Sequence, residues 1–146
     1  MSTNTNYTFP QDLYYDRATH IWARYDDETV TIGLDALGLE SLGDMAYISL
    51  QAVGLPVQRG ESIGSLEAAK MVGDVIAPVG GVIAARNEDV LRDPSLINRD
   101  PYGAGWILQI TPSAWDADSH QLAHGTDVTA WVESEIERYR SQGWIE

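Results

Sequence analysis

The side chain best suited to covalent chemistry in this sequence is Lys70, because it is the only lysine in the chain. It lies midway between two strand-like runs, residues 61–66 and 72–76, so we expect it at the tip of a hairpin. The small residues Ala68 and Ala69 precede it and leave its side chain unobstructed. An amine held out on a two-stranded ribbon has the geometry of a modification site, although an ordinary exposed turn lysine fits the local pattern too.

Two further patterns suggest chemistry but lack the context for it. Residues 60–64 match the G-x-S-x-G pattern of a hydrolase, with Asp116 and His120 downstream in the right order. That motif needs a strand, a tight turn and a helix, whereas a second strand-like run follows here. His120 and His124 could share a helix face as metal ligands, but an exposed polar connection accounts for them, and we predict no metal site.

Composition limits the classes of partner. The 146 residues (16.1 kDa) fit one domain spanning the whole chain. Asp and Glu number 22 against 9 Lys and Arg, and the net charge of -13 argues against nucleic acid and anionic membranes and favours basic proteins. Because there is no cysteine, any thiol chemistry must arrive on a bound group.

Neither the N-terminal segment nor the apolar runs of the sequence predict secretion or membrane insertion. Residues 1–8 are polar and are not followed by an apolar segment, so we predict no secretion signal and a cytoplasmic protein. No apolar run approaches the roughly 18 to 20 residues that cross a bilayer, so no membrane insertion is expected.

The elements that must position Lys70 are short strands. Between residues 22 and 111, apolar stretches of strand length alternate with glycine and proline, which predicts a mainly β sandwich or barrel over a core of about residues 20–112. The stretches are 29–33, 46–50, 61–66, 72–76, 81–85 and 105–111. A short helix is expected over 35–42, ended by Gly43, and a helical turn around 87–91.

The C-terminal segment has a different pattern. Apolar residues recur at helical spacing behind Thr126 or Asp127, which predicts an amphipathic helix over about 127–142 that ends at Gly143. These residues are Val128, Trp131, Val132, Ile136 and Tyr139. The pattern assigns Glu133, Glu135 and Glu137 to an outward face, either simply solvated or able to dock a basic partner.

Several aromatic and glycine residues are assigned to packing rather than to chemistry. Trp22 and Trp106 fit a core. Residues 100–105 fit a tight loop, and we expect its glycines to adopt backbone angles that other residues avoid.

The sequence resembles the lipoyl-carrying H-protein of the glycine cleavage system and its relatives, over most of the chain. The matching blocks, in order, are residues 9–15, His20 with Trp22, 31–34, 42–44, 53–54, 60–61, 67–70 and 78–82. The most specific ones are Asn87-Glu88, Pro94, Asn98, Asp100-Pro101-Tyr102-Gly103 and Gly105-Trp106.

This resemblance implies a barrel-sandwich hybrid, the fold of lipoyl domains, with short helices and a C-terminal α-helix. Lys70 would carry lipoate as an amide at the hairpin tip, supported by Glu67, Ala68, Ala69 and Met71. The dithiolane supplies two sulfurs that form a two-electron couple, so the protein would be a carrier and not an enzyme. His20 would face the cleft of the arm, or else be an interior histidine with a hydrogen-bonded partner.

The pathway is predicted from departures in two motifs. Glycine cleavage carriers usually read H-E-W and E-S-V-K, where this chain has His20-Ile21-Trp22 and Glu67-Ala68-Ala69-Lys70. With a tail that contains Trp115, Trp131 and Trp144, the chain is most similar to lipoate-binding proteins of sulfur-oxidising, heterodisulfide reductase-like complexes. The alternatives are a glycine cleavage carrier of an aminomethyl group and an unmodified binding module; a biotin carrier is disfavoured because only Met71 flanks the lysine.

The partners follow from the same resemblance. A lipoate ligase or lipoyl transferase would load the arm, and a dihydrolipoamide dehydrogenase would reoxidise it. The remaining partner would be a heterodisulfide reductase-like complex, or glycine decarboxylase with aminomethyltransferase.

Overall fold

The structure is a computed structural model that describes residues 7–146. Most of the polar N-terminal segment, residues 1–6, therefore lies outside the described part. The strands are β1 (Tyr14–Tyr15), β2 (Ile21–Asp26), β3 (Thr29–Leu34), β4 (Met45–Leu50), β5 (Pro56–Val57), β6 (Ser62–Ala68), β7 (Val72–Ile76), β8 (Gly81–Arg86) and β9 (Leu108–Pro112). The helices are α1 (Ala36–Leu42), α2 (Glu88–Arg92), α3 (Ser95–Arg99), α4 (Trp115–Ser119) and α5 (Asp127–Ser141).

Two antiparallel sheets contain these strands and confirm the mainly β prediction. The larger sheet has the order β1-β2-β3-β9-β8-β5, and the smaller one has the order β4-β6-β7. Apolar side chains of both sheets share one core, with Ile32 and Ile110 from the larger sheet and Ile48 and Leu66 from the smaller one. The free energy gained by burying these side chains holds the β6-β7 hairpin onto the rest of the domain.

The C-terminal helix packs on a second apolar cluster. Val132 and Ile136 of α5 are buried with Trp22 and Leu37, and Gly143 follows the helix with a left-handed φ of +77°. The outward face predicted for this helix is partly wrong, because Glu135 is buried and contacts His20. Within residues 7–146, no helix has both the length and the apolarity needed to cross a bilayer.

Strand β2 was not predicted, because two of its six residues are charged and the turn after it has no glycine. Its apolar half is buried, and it pairs with β3 along its whole length. Asp27 and Glu28 form the turn with φ values of 52° and 59°, a conformation that usually calls for Asn or Gly. Helices α3 and α4 were not predicted either, and β9 begins at Leu108 rather than at residue 105.

In the 100–105 loop, glycine is required because a side chain would clash with neighbouring atoms. The prediction that these glycines adopt backbone angles that other residues avoid is therefore wrong. Neither Gly103 nor Gly105 has a positive φ. A Cβ on Gly105 would lie 2.7 Å from the carbonyl oxygens of both Asp100 and Leu96, and one on Gly103 would meet the Asp100 carboxylate. The backbone at Gly105 therefore lies directly against the backbone of Leu96 and Asp100, which only a residue without a side chain allows. Trp22 also binds this loop, because its indole N–H donates to Pro101 O at 3.0 Å.

Candidate functional site

Lys70 lies at the exposed tip of the hairpin that joins β6 and β7. Glu67 is paired with Val72 at the end of the ladder, and the Ala68 N–H donates to Met71 O at 2.9 Å. Glu67 and Ala69 are exposed, as is Met71, so all three border the lysine on the surface. The hairpin therefore presents the amine to solvent, next to the small Ala69, the apolar Met71 and the charged Glu67.

The tip is bound to the segment between α1 and β4. The N–H of Ala69 donates to Asp44 O, and the N–H of Lys70 donates to Leu42 O, each at 2.9 Å. Gly43 has a φ of 82°, and a Cβ there would come within 3.3 Å of Lys70 Cγ, so the lysine side chain crosses the segment at this glycine. These contacts fix the start of the lysine side chain rather than leaving it on a free loop.

Asn98, on α3, holds this segment in turn. Its Oδ1 accepts from the Met45 N–H at 2.8 Å, and its Nδ2 donates to Gly43 O at 3.0 Å. One amide side chain thus satisfies a donor and an acceptor of the backbone on which the hairpin tip rests.

Replacing Asn98 with alanine is expected to loosen the tip. Two backbone groups would lose their partner, and each buried unsatisfied group costs about 1–3 kcal/mol. Hydrogen exchange of the Ala69 and Lys70 amides should become faster, while exchange in α5 should not change. A Ser95→Ala variant is the control, because Ser95 lies on the same helix but its hydroxyl contacts Asp93 and Arg99 rather than the segment below the tip. Equal protection of the two tip amides in both variants would contradict the role of Asn98.

The lysine borders two cavities of different character. One, of about 290 Å³, is polar and is lined by Glu40, Asp44 and Asn98. The other, of about 410 Å³, is lined by Met71, Tyr139, Trp144 and their neighbours. Within residues 7–146, the amine donates one hydrogen bond, to Glu40 O at 3.1 Å on the surface, so acylation would break no buried contact among these residues. Sites for small molecules usually measure about 300–1,000 Å³, so the surroundings of Lys70 fit a covalent cofactor arm.

His20 lies at the wall of a third cavity, of about 210 Å³, which Met71 and Tyr139 also border. The ring is 2% exposed and has a left-handed φ of 61°. Its Nδ1 lies 2.8 Å from an oxygen of Asp35, and its Nε2 lies 2.8 Å from an oxygen of Glu135. His20 is therefore an interior histidine with two carboxylate partners.

A protonated ring satisfies this arrangement, because only the imidazolium donates from both nitrogens. Burial alone lowers the pKa of His20, but the charge of Asp35 and the hydrogen bonds to both carboxylates outweigh it and raise the pKa above 6.5. Burial raises the pKa of Asp35, against the opposing effect of His20. Burial acts to raise the pKa of Glu135, but hydrogen bonds from Arg138 and His20 outweigh this effect and lower the pKa.

Sequence reasoning missed the partners of His20. The sequence predicted Asp35 as the first residue of a helix over 35–42, whereas in the structure it precedes α1 and caps it by accepting from the Gly38 N–H at 2.8 Å. Glu135 makes a paired contact with Arg138, at 2.8 and 2.9 Å. In the sequence, the i,i+3 spacing of Glu135 and Arg138 on the predicted helix indicates this ion pair, but nothing indicates the contact of Glu135 with His20.

The other candidate motifs are not brought together. Ser62 begins strand β6 and donates to Gly64 O at 3.0 Å, so it does not stand on a strand-to-helix turn. His120 Nδ1 contacts Asp116 O within its own turn, and His124 stacks on Tyr14 with ring centroids 3.8 Å apart. Among residues 7–146, no three His, Asp or Glu side chains are grouped as a metal ion would require.

Comparisons with known proteins agree on one family. The sequence model described as "Glycine cleavage H-protein" matches residues 13–135. The chain is 38% identical over 126 residues to the glycine cleavage system H protein of Synechococcus sp. (strain RCC307), covering 86% of this chain and 95% of that one. It is 40% identical over 130 residues to the H protein of Mycobacterium avium (strain 104), covering 88% and 93%.

A solved structure extends the agreement to the fold. The crystal structure of a glycine cleavage system H protein from Mycobacterium marinum superposes with a TM-score of 0.74 at 32% identity, covering 87% of this chain and 98% of that one. Proteins of this family carry lipoate covalently on a lysine and are carriers rather than enzymes. Since the matches span most of the chain and include the Lys70 hairpin, the chain belongs to the glycine cleavage H-protein family.

Proposed function

We propose that this protein is a lipoyl carrier whose arm is joined to Lys70 Nζ by an amide bond. The observation that carries the proposal is the single lysine: the family carries lipoate on a lysine, and this chain has only one, at the tip of an anchored hairpin. A lipoate ligase or lipoyl transferase would attach the group. Acylation removes the charge of the amine, and the exposed position of Lys70 leaves no buried partner unsatisfied.

The role of the hairpin is to project and aim the arm. Glu67 and Ala68 end the ladder, and Ala69 and Met71 flank the lysine without covering it. When bound, the lipoyl group supplies two sulfurs that can be oxidised or reduced together and can carry a transferred group. The chain contributes no cysteine, so it cannot trap its own arm in a mixed disulfide.

The cargo we propose is the aminomethyl group of glycine cleavage, with glycine decarboxylase and aminomethyltransferase as partners and a dihydrolipoamide dehydrogenase to reoxidise the arm. The named relatives support this pathway rather than sulfur oxidation, which the sequence motifs alone had favoured. The acidic surface, with a net charge of -13, suits docking onto basic patches of such enzymes.

Service to a sulfur-oxidising, heterodisulfide reductase-like complex is the second candidate, and the departures from the usual glycine cleavage motifs at Ile21 and at Ala68-Ala69 favour it. Of the three tail tryptophans behind that prediction, only Trp144 lines a cavity at Lys70. Trp131 is buried against His20, and Trp115 stacks on Tyr25, so neither supports this candidate.

The experiment compares the two cargoes on one sample. The lipoylated protein is incubated either in its oxidised disulfide form with glycine and glycine decarboxylase, or in its reduced dithiol form with a sulfane sulfur donor and the heterodisulfide reductase-like complex, and the Lys70 peptide is then analysed by mass. We expect an aminomethyl adduct in the first reaction only. A sulfur adduct without an aminomethyl adduct would contradict glycine cleavage and support the second candidate. An unmodified Lys70 in protein from the native host would instead indicate a binding module without cofactor.

A further inference from the structure

Half of the residues that line the apolar cavity beside Lys70 lie beyond the region that the family model matches. The match ends at residue 135, whereas Tyr139, Gly143 and Trp144 all lie beyond it. On the hairpin side, the cavity is closed by Met71, which is 55% exposed. The end of this chain therefore adds a wall to the site that the matched region does not supply.

The position of Trp144 is set by the way helix α5 ends. The Gly143 N–H donates to Arg140 O at 3.0 Å, and the Trp144 N–H donates to Tyr139 O at 2.9 Å. With the left-handed φ of Gly143, this is the Schellman arrangement, which turns the chain back over the last helical turn. The Trp144 ring consequently packs edge-on against Tyr139, with centroids 5.1 Å apart, yet it stays 45% exposed.

Arg138 fixes the two rings from the other side. Its guanidinium lies 5.0 Å from the Tyr139 centroid and 5.6 Å from that of Trp144, and Glu135 holds it by two hydrogen bonds. Burial and the nearby carboxylates of Asp35 and Glu135 raise the pKa of Tyr139 to about 12, so its hydroxyl is neutral at physiological pH. The cavity wall beside Lys70 thus consists of two uncharged aromatic rings that pack against each other and against Arg138.

Of the two cavities that Lys70 itself borders, one is apolar enough to hold an arm attached to this lysine. A lipoyl arm is a hydrocarbon chain that ends in two sulfurs, and sulfur makes favourable contacts with aromatic rings. The cavity on the opposite side of the lysine exposes Glu40, Asp44 and Asn98, which suits an apolar arm poorly. The cavity of about 410 Å³ beside Trp144 matches the chemistry of the arm better.

We propose that Trp144, with Tyr139 and Met71, forms a binding site for the oxidised lipoyl arm, in which the C-terminal segment of this chain supplies the aromatic wall. The inference rests on the proposed function, because it requires lipoate on Lys70. In this site the disulfide of the dithiolane packs against the indole and is partly shielded from reagents in solution.

The test measures how fast a small reductant, tris(2-carboxyethyl)phosphine, opens the dithiolane of the full-length lipoylated protein. A Trp144→Leu variant keeps an apolar contact with Tyr139 but removes the aromatic ring, and it should be reduced about two- to tenfold faster. Trp144→Phe should stay close to the original rate. Trp115→Leu, which removes a tryptophan that stacks on Tyr25 and does not line this cavity, is the matched control and should not change the rate.

Two outcomes overturn the proposal, and they are distinguishable. If the dithiolane is reduced at the same rate in Trp144→Leu and in the Trp115→Leu control, and the lipoyl mass is present on Lys70, then Trp144 does not bind the arm and only packs at the end of α5. The carrier function would be unaffected by that result. A chain that a lipoate ligase cannot load on Lys70 would overturn the proposed function and this site with it.

Discussion

Arginine in place of Lys70 is expected to abolish lipoylation completely. The guanidinium group keeps the positive charge but is not deprotonated near neutral pH and does not accept an acyl group as an amine does. No other lysine can substitute, since the chain has none. The intact mass after incubation with lipoate, ATP and a lipoate ligase should be that of the bare chain, and transfer in a reconstituted system should fall to background.

The fold should tolerate this change. Lys70 is exposed and its hydrogen bond to Glu40 O lies on the surface, and substitutions at such positions usually alter the free energy of unfolding by less than about 0.5 kcal/mol. A matched control adds Arg92→Lys to the Lys70→Arg chain, which restores an exposed lysine at a site away from the hairpin. Lipoylation of the new lysine at position 92 would contradict the requirement for the hairpin tip. Any lipoylation of the Lys70→Arg chain alone would refute attachment at Lys70.

Replacing His20 with glutamine is expected to destabilise the protein by about 3–5 kcal/mol, the usual cost of removing one partner from a buried ion pair. Asp35 is fully buried, and the charge of His20 is its principal compensation. Glu135 retains Arg138, so the loss falls mainly on Asp35. Urea unfolding at pH 6 measures the difference.

The variant His20→Gln with Asp35→Asn separates charge from packing. If the uncompensated carboxylate is the cause, neutralising it should recover part of the lost stability. A double variant no more stable than His20→Gln alone would instead assign the loss to packing against Trp131 and Tyr139, whose rings lie 5.0 and 5.2 Å from that of His20.

The same cluster gives stability a dependence on pH. Because the pKa of His20 is raised in the folded protein, its contribution is complete below about pH 6.5, the ordinary histidine value, and is lost as the pH rises through the raised value. Because the pKa of Glu135 is lowered, its contribution is present above the ordinary value of 4.5 and is lost as the pH falls through the lowered one.

Unfolding measured from pH 6 to 9 should therefore show a decline that the His20→Gln variant lacks. The exposed His120 provides the control, since His120→Asn should keep the decline. An unchanged slope in His20→Gln would mean that another group causes it.

The sequence by itself determined the features that depend on neighbouring residues. The lone Lys70 between two strand-like runs predicted the hairpin, and Gly43 and Gly143 marked the ends of α1 and α5. Strand alternation and helix periodicity are local, so most of the β architecture and the C-terminal helix could be predicted. The lipoyl family could be recognised because its motifs are contiguous blocks.

Only the tertiary structure decided which distant residues meet. Glu135 reads as a solvated helix position, and it is buried only because α5 packs its face onto His20, 115 residues away. Gly105 and Trp144 are likewise explained by close approach and by a cavity wall, not by local pattern. Periodicity gives the face of a helix but not the polar partner opposite it, since that partner is selected when the core packs and each buried charge must be paired.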